Sequence, residues 1–261
     1  MSGPEAWRLD GRVALVTGAQ RGIGFACAEA FVAAGASVAC VDLPGGGLEA
    51  AVERLGPAAS AHPADVSDLD ATGALVEGVI ERHGRLDVFV NAAGTLAPAP
   101  FLEMTQEQWD RTLGVNTRGA LFLAQACARH FVARGVPGRI ILVASIVGRS
   151  VVRLNNTAYS ASKAAVIQAA RCLALELAPH GITVNTISPG STATEMLLGV
   201  QAPGAIESIV KGDAAEWRLG IPLGRLAEPS DQAALAVFLA GEGAGHITGQ
   251  DLAVDGGQTT V

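Results

Sequence analysis

The amino-acid sequence predicts one α/β domain, built as a doubly wound parallel sheet with helices on both faces. Short runs rich in Val, Ile and Leu alternate with longer Ala-rich segments of helical periodicity, an order typical of parallel α/β folds. The strand-like runs are continuously apolar rather than alternating, which is expected when helices cover both faces of a sheet. The 261 residues contain neither a linker nor an internal repeat, so we expect a single domain over residues 1–261.

Each element follows from its own pattern in chain order. Strands are predicted at residues 12–17, 37–42, 86–91, 139–145 and 183–188. Helices are predicted at residues 22–34, 69–83, 106–134, 158–178 and 230–240. This alternation is typical of the Rossmann-type arrangement, in which ligands bind at the carboxyl ends of the strands.

Residues 196–218 interrupt the strand–helix alternation. The segment contains Gly199, Pro203, Gly204 and Gly212, with short helical stretches between them. An excursion of this kind late in an α/β fold predicts a flap over the active site, and the alternative is a surface insertion. We refer to residues 196–218 as the flap.

Charge and hydropathy disfavour several classes of partner. The chain carries 18 Lys and Arg residues against 25 Asp and Glu, a net charge of −7, and its basic residues stand singly. This balance disfavours binding to nucleic acid or to an anionic membrane surface. No run reaches the about 18 apolar residues of a membrane-spanning helix, and residues 1–12 lack the pattern of a signal peptide. The sequence therefore predicts a cytoplasmic protein that acts on a small molecule.

The cysteines and histidines form no recognisable motif. Cys27, Cys40, Cys127 and Cys172 lie far apart in apolar segments without a Cys-x-x-Cys pair, so we expect four buried thiols rather than disulfides. The five histidines share no metal-ligand spacing and no helical face. The sequence predicts no metal site.

The first predicted strand runs into a glycine-rich loop at residues 17–24. Gly18, Gly22 and Gly24 let the backbone turn tightly and bring the amide groups of a helix N-terminus against a pyrophosphate. By itself the loop is also compatible with a mere tight turn. Its position between a strand and a helix, with an acidic residue at the end of the next strand, predicts a dinucleotide site.

Asp42 is that acidic residue, and it predicts which dinucleotide binds. A carboxylate there can accept hydrogen bonds from both ribose hydroxyls of NAD, and it would repel the 2′-phosphate of NADP. Arg21 in the glycine loop favours the phosphate, because its guanidinium could pair with it. A fixed anion outweighs one mobile arginine, so the sequence predicts NAD.

Four polar residues predict general acid–base chemistry at a substrate oxygen. Tyr159, the only tyrosine, and Lys163 lie one helical turn apart on one face of a predicted helix. An ammonium and a positively charged nicotinamide nearby would lower the pKa of the phenol, which is otherwise about 10, so that it can act as a base. Ser145, at the end of a predicted strand, can hold the substrate oxygen. Asn116 lies inside a predicted helix, where we expect it to fix a water beside Lys163 and extend a proton relay.

Together these motifs resemble those of the short-chain dehydrogenase/reductase family, in the family's order and over nearly the whole chain. The matching motifs are residues 17–24 (TGAQRGIG), Asp65, residues 91–94 (NAAG), Asn116, Ser145, residues 159–163 (YSASK) and residues 189–190 (PG). The resemblance implies that Tyr159 is the general acid/base, that Lys163 assists it and binds ribose, and that Ser145 positions the substrate. Asn116 is implied to be the structural relay. The segment between Ser145 and Tyr159 is one residue longer than is usual in the family, and a small bulge would absorb it.

The resemblance also implies a set of cofactor contacts along the carboxyl ends of the strands. Asp65 and Val66 would contact adenine, and Asn91 and Gly94 would line the dinucleotide. Thr192 and Thr194 would meet the nicotinamide end. The remaining implied contacts are Arg21 and Ile23 in the glycine loop, Pro189 and Gly190 after the last predicted strand, and the catalytic Tyr159 and Lys163.

The C-terminal third resembles the subgroup of that family that acts on 2,3-dihydro-2,3-dihydroxybenzoate. The similar segments are residues 187–192, 219–229, 246–248 and 254–257. Such enzymes oxidise the ring C3 alcohol with NAD⁺, and the ketone tautomerises to an aromatic acid. The 2-amino analogue, 2,3-dihydro-3-hydroxyanthranilate, would suit the same residues.

Three residues are assigned to substrate binding, namely Ser145, Arg153 and Met196. Arg153 matches an arginine of the subgroup and could hold the substrate carboxylate bidentately; the alternatives are a solvated loop charge or a subunit contact. The flap differs from the subgroup because residues 196–200 lack an expected tryptophan.

Two other functions would share the same fold. A generic reductase, such as a 3-oxoacyl carrier-protein reductase, would carry every catalytic residue, but Asp42 and the acidic charge balance disfavour NADPH and an acidic carrier. A non-catalytic NAD-binding protein would not require the Ser, Tyr, Lys and Asn set.

The predicted helices at 106–134 and 158–178 are apolar around much of their circumference, which predicts subunit contacts. The family resemblance points to a homotetramer, and the alternative is that one subunit covers both faces of these helices.

Overall fold

The computed structural model describes residues 7–199 and 205–260. The strands are β1 (Val13–Thr17), β2 (Ser37–Asp42), β3 (Ala59–Pro63), β4 (Val88–Asn91), β5 (Arg139–Val143), β6 (Thr183–Pro189), β7 (Gly212–Asp213), β8 (Arg218–Leu219) and β9 (Asp251–Val254). The helices are α1 (Gly22–Ala33), α2 (Leu48–Leu55), α3 (Thr72–His83), α4 (Gln106–Leu113), α5 (Ala120–Arg134), α6 (Thr157–Leu177), α7 (Glu195–Leu198), α8 (Ala205–Lys211) and α9 (Pro229–Ala240).

Seven of these strands form one parallel sheet in the order β3-β2-β1-β4-β5-β6-β9. The chain winds outward from β1 to β3, then returns to the centre and winds outward again from β4. This reversal confirms the predicted doubly wound, Rossmann-type architecture. It also opens a crevice at the carboxyl ends of β1 and β4, where folds of this type bind ligands.

The sheet separates two apolar layers. Helices α1, α2 and α9 cover one face, and helices α3, α5 and α6 cover the other. Alternate residues of β1 point to opposite layers, so that Ala14 and Val16 join one core while Val13 and Leu15 join the other. Every residue of β1, β4 and β5 is buried, which explains why these strands read as continuous apolar runs.

Several elements differ from the sequence prediction. The pattern missed α2, β3 and β9, which are short and carry polar or half-exposed residues. The segment 106–134 is not one helix, because a π-helical turn at Gly114–Gly119 joins α4 to α5. The predicted strand 139–145 ends at Val143, so Ser145 lies in the loop beyond it. The last two errors concern helix type and a strand end, which hydrophobic periodicity does not determine. The three missed elements are too short and too polar to give a clear periodic pattern.

The flap contains helix α8 and the β7–β8 hairpin, and it begins within α7. Pro203 and Gly204, which helped to predict it, lie outside the described residues. Trp217 in the hairpin has a positive φ of 55° and is 87% exposed. The described part of the flap is thus an irregular excursion, as the glycines and proline predict.

The prediction that all four cysteines are buried is wrong for Cys172. Cys27, Cys40 and Cys127 are buried, and burial raises the pKa of the Cys27 thiol to about 12. Cys172 lies on the outward face of α6, three residues before the exposed Leu175. Helix α6 is rich in Ala and Leu all round, so its sequence does not show which face meets the core.

Across residues 7–199 and 205–260, no helix combines the length and the apolar character needed to cross a membrane.

Candidate active site

A cavity of about 490 Å³ lies at the carboxyl ends of the sheet strands, over the point where the strand order reverses. Most residues predicted from the sequence line it. They are Gly18, Arg21, Gly22, Ile23, Gly24, Asp42, Asp65, Val66, Gly94, Ser145, Arg153, Tyr159, Lys163, Pro189, Gly190, Thr192, Thr194 and Met196. Asn91 and Asn116 do not line the cavity, and both are buried behind its wall.

The glycine loop forms a groove that only backbone can line. Gly18 has a φ of +68°, and a Cβ atom there would lie 2.8 Å from the main chain of Ala92. A Cβ on Gly24 would lie 2.1 Å from the carbonyl oxygen of Gly18. The N-cap side chain, Arg21, makes no capping hydrogen bond, so the first amides of α1 face the groove without a side-chain acceptor. This close backbone approach and the helix N-terminus fit the pyrophosphate of a dinucleotide.

Asp42 is held beside this groove by two backbone amides. Its carboxylate accepts hydrogen bonds from the amide of Gln20 at 3.0 Å and from the amide of Leu43 at 2.9 Å. The negative charge is therefore oriented by the main chain. Arg21 does not turn toward it, because its guanidinium pairs with Glu195 of α7 at 2.8 Å.

Asn91 ties the ends of two central strands together. Thr17 Oγ1 donates to Asn91 Oδ1 at 2.9 Å, and the amide of Ala93 donates to Thr17 Oγ1 at 3.1 Å. These bonds fix the end of β4 against the end of β1, beneath the cavity. Asn91 therefore supports the floor of the cavity. Thr17 shares this role through its hydrogen bonds, and the sequence did not predict that role.

Ser145 and Tyr159 meet across the loop that follows β5, joined by a side-chain hydrogen bond. The helical turn at Ile146–Gly148 and the loop before α6 lie between them. Lys163 is 4% exposed and its Nζ donates to the carbonyl of Val143 at 2.8 Å. The same Nζ lies 5.7 Å from the centre of the Tyr159 ring, as the one-turn spacing predicts.

Burial sets the acid–base properties of this cluster. It lowers the pKa of Lys163 to about 8, which leaves the side chain mainly cationic at neutral pH. Burial raises the pKa of Tyr159, and this is opposed by the hydrogen bond from Ser145 and by the positive charge of Arg153. The phenol is thus neutral in the free protein and surrounded by groups that favour its ionised form.

Asn116 lies in the π-helical turn, and its side chain is committed to structural hydrogen bonds. Its Oδ1 accepts from the amide of Thr95 at 2.7 Å. Its Nδ2 donates to the carbonyl of Thr95 and to Ser162 Oγ, both at 3.0 Å. The amide group therefore clamps the loop after β4 to helix α6. A proton relay through this residue would have to use its main-chain carbonyl rather than its side chain.

Thr192 and Thr194, which are predicted to meet the nicotinamide, are held in place by hydrogen bonds within the protein. Thr192 Oγ1 donates to the carbonyl of Gly190 at 3.1 Å and accepts from Gln232 Nε2 at 3.3 Å. Thr194 caps α7, where its hydroxyl accepts from the amide of Leu197 at 3.3 Å. Gln232 was missed by the sequence reasoning. A glutamine among the apolar residues of α9 could have indicated a buried polar role, and Gln232 is fully buried there.

Arg153 projects into the cavity from the loop before α6. Its Nη2 donates to Ser191 Oγ at 2.9 Å, and its charge acts on the phenol of Tyr159. The lining of the same cavity includes the apolar residues Leu96, Val147, Met196 and Leu197. A cationic group thus lies near the candidate base in a cavity that also offers apolar surface.

Comparisons with known proteins agree with this arrangement. A family model described as enoyl-(acyl carrier protein) reductase matches residues 18–259. The 2,3-dihydro-2,3-dihydroxybenzoate dehydrogenase of Bacillus subtilis (strain 168) is 38% identical over 255 residues, covering 96% of this chain and 97% of the relative. The sorbitol dehydrogenase of Cereibacter sphaeroides is 40% identical over 252 residues, covering 96% and 98%.

Among solved structures, a 7α-hydroxysteroid dehydrogenase complexed with NADH and 7-oxo glycochenodeoxycholic acid superposes with a TM-score of 0.90 and 32% sequence identity. The match covers 100% of this chain and 99% of that one. Full-length similarity, the doubly wound sheet and the cavity with its Ser145, Tyr159 and Lys163 cluster lead to one assignment. The chain belongs to the short-chain dehydrogenase/reductase family and is an oxidoreductase that uses a nicotinamide cofactor.

Proposed function

We propose that this protein oxidises the C3 alcohol of a 2,3-dihydro aromatic acid with NAD⁺, giving the aromatic 3-hydroxy acid. The substrates proposed are 2,3-dihydro-2,3-dihydroxybenzoate and its 2-amino analogue, 2,3-dihydro-3-hydroxyanthranilate. The observation that carries this proposal is the Arg153 guanidinium, which lines the same cavity as Tyr159 and whose charge acts on the Tyr159 phenol.

Arg153 offers what a cyclic carboxylate needs. A guanidinium pairs with carboxylates through charge-assisted hydrogen bonds, and the Arg153 group is positioned in the cavity by its hydrogen bond to Ser191. Apolar lining residues such as Leu96 and Met196 suit a ring. Similarity to a relative that acts on such an acid supports the same substrate class.

Polyol oxidation is the second candidate, because the sorbitol dehydrogenase of Cereibacter sphaeroides is as similar to the chain as the benzoate relative. A polyol carries no charge, so it offers no ionic partner to the Arg153 guanidinium that lines the cavity. The cavity therefore favours the acid, and a direct comparison of the two substrates separates the candidates.

Four residues of the chain would each have a separate role in the oxidation. A bound nicotinamide would supply the hydride acceptor for the substrate carbon. Tyr159 Oη accepts the proton of the substrate hydroxyl, and Ser145 Oγ holds the same oxygen in place. The Lys163 ammonium, fixed by the carbonyl of Val143, stabilises the phenolate that accepts the proton. Arg153 binds the carboxylate and so orients C3.

NAD is favoured over NADP by the charges at the ribose end of the groove. Asp42 is fixed by two amides, and Arg21 is paired with Glu195 rather than placed to receive a phosphate. The groove therefore presents an oriented anion and a neutralised cation to the adenosine ribose. Both features disfavour a 2′-phosphate.

Asp42→Ala is expected to reduce the preference for NAD⁺ over NADP⁺, measured as the ratio of kcat/KM values, by about tenfold or more, since a repulsive charge and a ribose acceptor are both lost. Asp68→Ala, an exposed acid outside the cavity lining, is the matched control. An unchanged ratio in Asp42→Ala would show that the cofactor argument is wrong.

The direct test of function is NADH formation by the purified protein. We would supply NAD⁺ with 2,3-dihydro-2,3-dihydroxybenzoate, with its 2-amino analogue, and with sorbitol in parallel, and follow absorbance of NADH. A large kcat/KM for one cyclic acid, with sorbitol far slower, is the expected result. Faster turnover of sorbitol would overturn the proposal and favour the polyol candidate.

Arg153→Ala is expected to raise KM for the cyclic acid about 10- to 100-fold, the effect of losing a charge-assisted hydrogen bond, and to lower kcat less. The reason is that Arg153 anchors the carboxylate but does not accept the proton. Arg171→Ala, an exposed arginine on α6, is the control. If Arg153→Ala leaves KM unchanged, the carboxylate is not bound at this residue.

We further propose that the flap closes over the substrate end and that the protein is a homotetramer. Met196 and Leu197 line the cavity, which supports a covering role for the start of the flap.

The proposed tetramer is supported by apolar side chains exposed on α5 and α6. They are Phe122, Val132 and Leu175, which are 46%, 39% and 80% exposed. Native mass spectrometry should give four times the mass of one chain, and the mass of a monomer would contradict the proposed tetramer.

A further inference from the structure

We infer that Ser191 is a positioning residue for substrate recognition, because it holds the Arg153 guanidinium where it meets a carboxylate beside Tyr159. This inference rests on the proposed function and extends it to a residue without an assigned role. Ser191 does not accept the substrate proton. It acts through Arg153, to which its hydroxyl is bonded at 2.9 Å.

Ser191 is suited to this role because its backbone is fixed on both sides. Its amide donates to Gln258 Oε1 at 2.8 Å, and its carbonyl accepts from the amide of Ala227 at 3.0 Å. Ser191 and Gln258 are 6% and 4% exposed. The hydroxyl thus projects into the cavity from a rigid main chain.

The neighbouring Gly190 adds to this rigidity. A Cβ atom at Gly190 would lie 2.6 Å from Asp255 Cα and 2.7 Å from Gln258 Oε1. The segment after β6 is therefore packed directly against the C-terminal turn, with no space for a side chain between them. Because that turn also supplies the acceptor for the Ser191 amide, the C-terminal residues determine where the hydroxyl lies.

The hydroxyl matters because an arginine side chain is long and loses much conformational freedom when it is ordered. A fixed acceptor for one N–H orders the guanidinium before substrate arrives, and the other N–H groups keep their direction. The same contact holds the charge near the Tyr159 phenol, whose pKa Arg153 lowers. Loss of the hydroxyl should therefore affect both carboxylate binding and the ionisation of the base.

The test compares Ser191→Ala, Ser191→Thr, Arg153→Ala and the Ser191→Ala/Arg153→Ala double variant, using the cyclic acid and its neutral carboxamide as substrates. Ser191→Ala is expected to raise KM for the acid about tenfold, since one hydrogen bond to a charged group is lost. KM for the carboxamide and the Kd for NAD⁺ should change little. Ser191→Thr, which keeps the hydroxyl, should restore most of the affinity.

Two further readouts separate positioning from a general structural role. In the double variant, Ser191→Ala should add nothing to Arg153→Ala, because the hydroxyl acts only through the guanidinium. The pH profile of kcat should shift to higher pH in both single variants. Additive effects, an unshifted profile, or equal losses with acid and carboxamide would overturn the inference.

The same experiment distinguishes failure of this inference from failure of the proposed function. If Arg153→Ala raises KM for the acid while Ser191→Ala does not, Ser191 has no positioning role and the proposed function stands. If Arg153→Ala affects acid and carboxamide alike, the carboxylate is not anchored at Arg153 and this inference falls. The proposed function falls if the wild-type protein forms no NADH from the cyclic acids. Thermal unfolding of each variant shows whether a loss of activity reflects a loss of folded protein.

Discussion

Tyr159→Phe is expected to lower kcat for alcohol oxidation by about 10²- to 10⁴-fold, the range attributed to a positioned general base. The variant removes one oxygen and keeps the ring. In the structure that oxygen is hydrogen-bonded to Ser145 and is affected by the charge of Arg153, and Lys163 Nζ lies 5.7 Å from the centre of the ring. No other tyrosine exists in the chain to replace it.

Steady-state rates of NADH formation check this prediction, and calorimetric titration with NAD⁺ checks that cofactor binding is kept. Ser160→Ala, the next residue on the same helix, is the matched control and should retain activity. If Tyr159→Phe keeps the wild-type kcat, the proton is accepted by another group. If it also loses NAD⁺ binding, the phenol has a role in the cofactor site beyond proton transfer.

Gly24→Ala is expected to lower the free energy of unfolding by about 1–3 kcal/mol, the usual effect of overpacking a tightly packed site. The added Cβ would lie 2.1 Å from the carbonyl oxygen of Gly18 and 2.9 Å from that of Thr17. Both are main-chain atoms at the turn between β1 and α1, so neither can move without moving the turn. Cofactor affinity should fall by about 100-fold, because the amides at the start of α1 are displaced from the groove.

Urea unfolding and titration with NAD⁺ measure the two effects separately. Gly78→Ala is the matched control, since a Cβ there meets nothing within 4 Å in the interior of α3. The control should be stabilised by about 0.5–1 kcal/mol, because alanine has the higher helix propensity. Equal behaviour of the two variants would mean that the β1–α1 turn tolerates a side chain and is looser than the structure shows.

The catalytic groups could be predicted because their positions depend on residues that are close together in the chain. Tyr159 and Lys163 are four residues apart in one helix, so the helix alone puts them on the same face. Asp42 ends an apolar run, and the carboxyl end of a parallel strand faces the ligand crevice. The prediction for Asn116 was less complete. A polar amide inside a helix indicates that Asn116 has a specific role, but the sequence does not show which groups the amide bonds.

By itself the sequence determined five of the seven sheet strands, the glycine loop and the reacting groups, because each depends on residues near one another in the chain. Only the tertiary structure decided which polar groups meet. Arg153 and Ser191 are 38 positions apart, and Ser191 and Gln258 are 67 apart. Arg21 forms an ion pair with Glu195, which lies 174 positions away in the chain. Periodicity reports which face of an element is buried, whereas a hydrogen bond between two distant side chains exists only once the chain has folded back on itself.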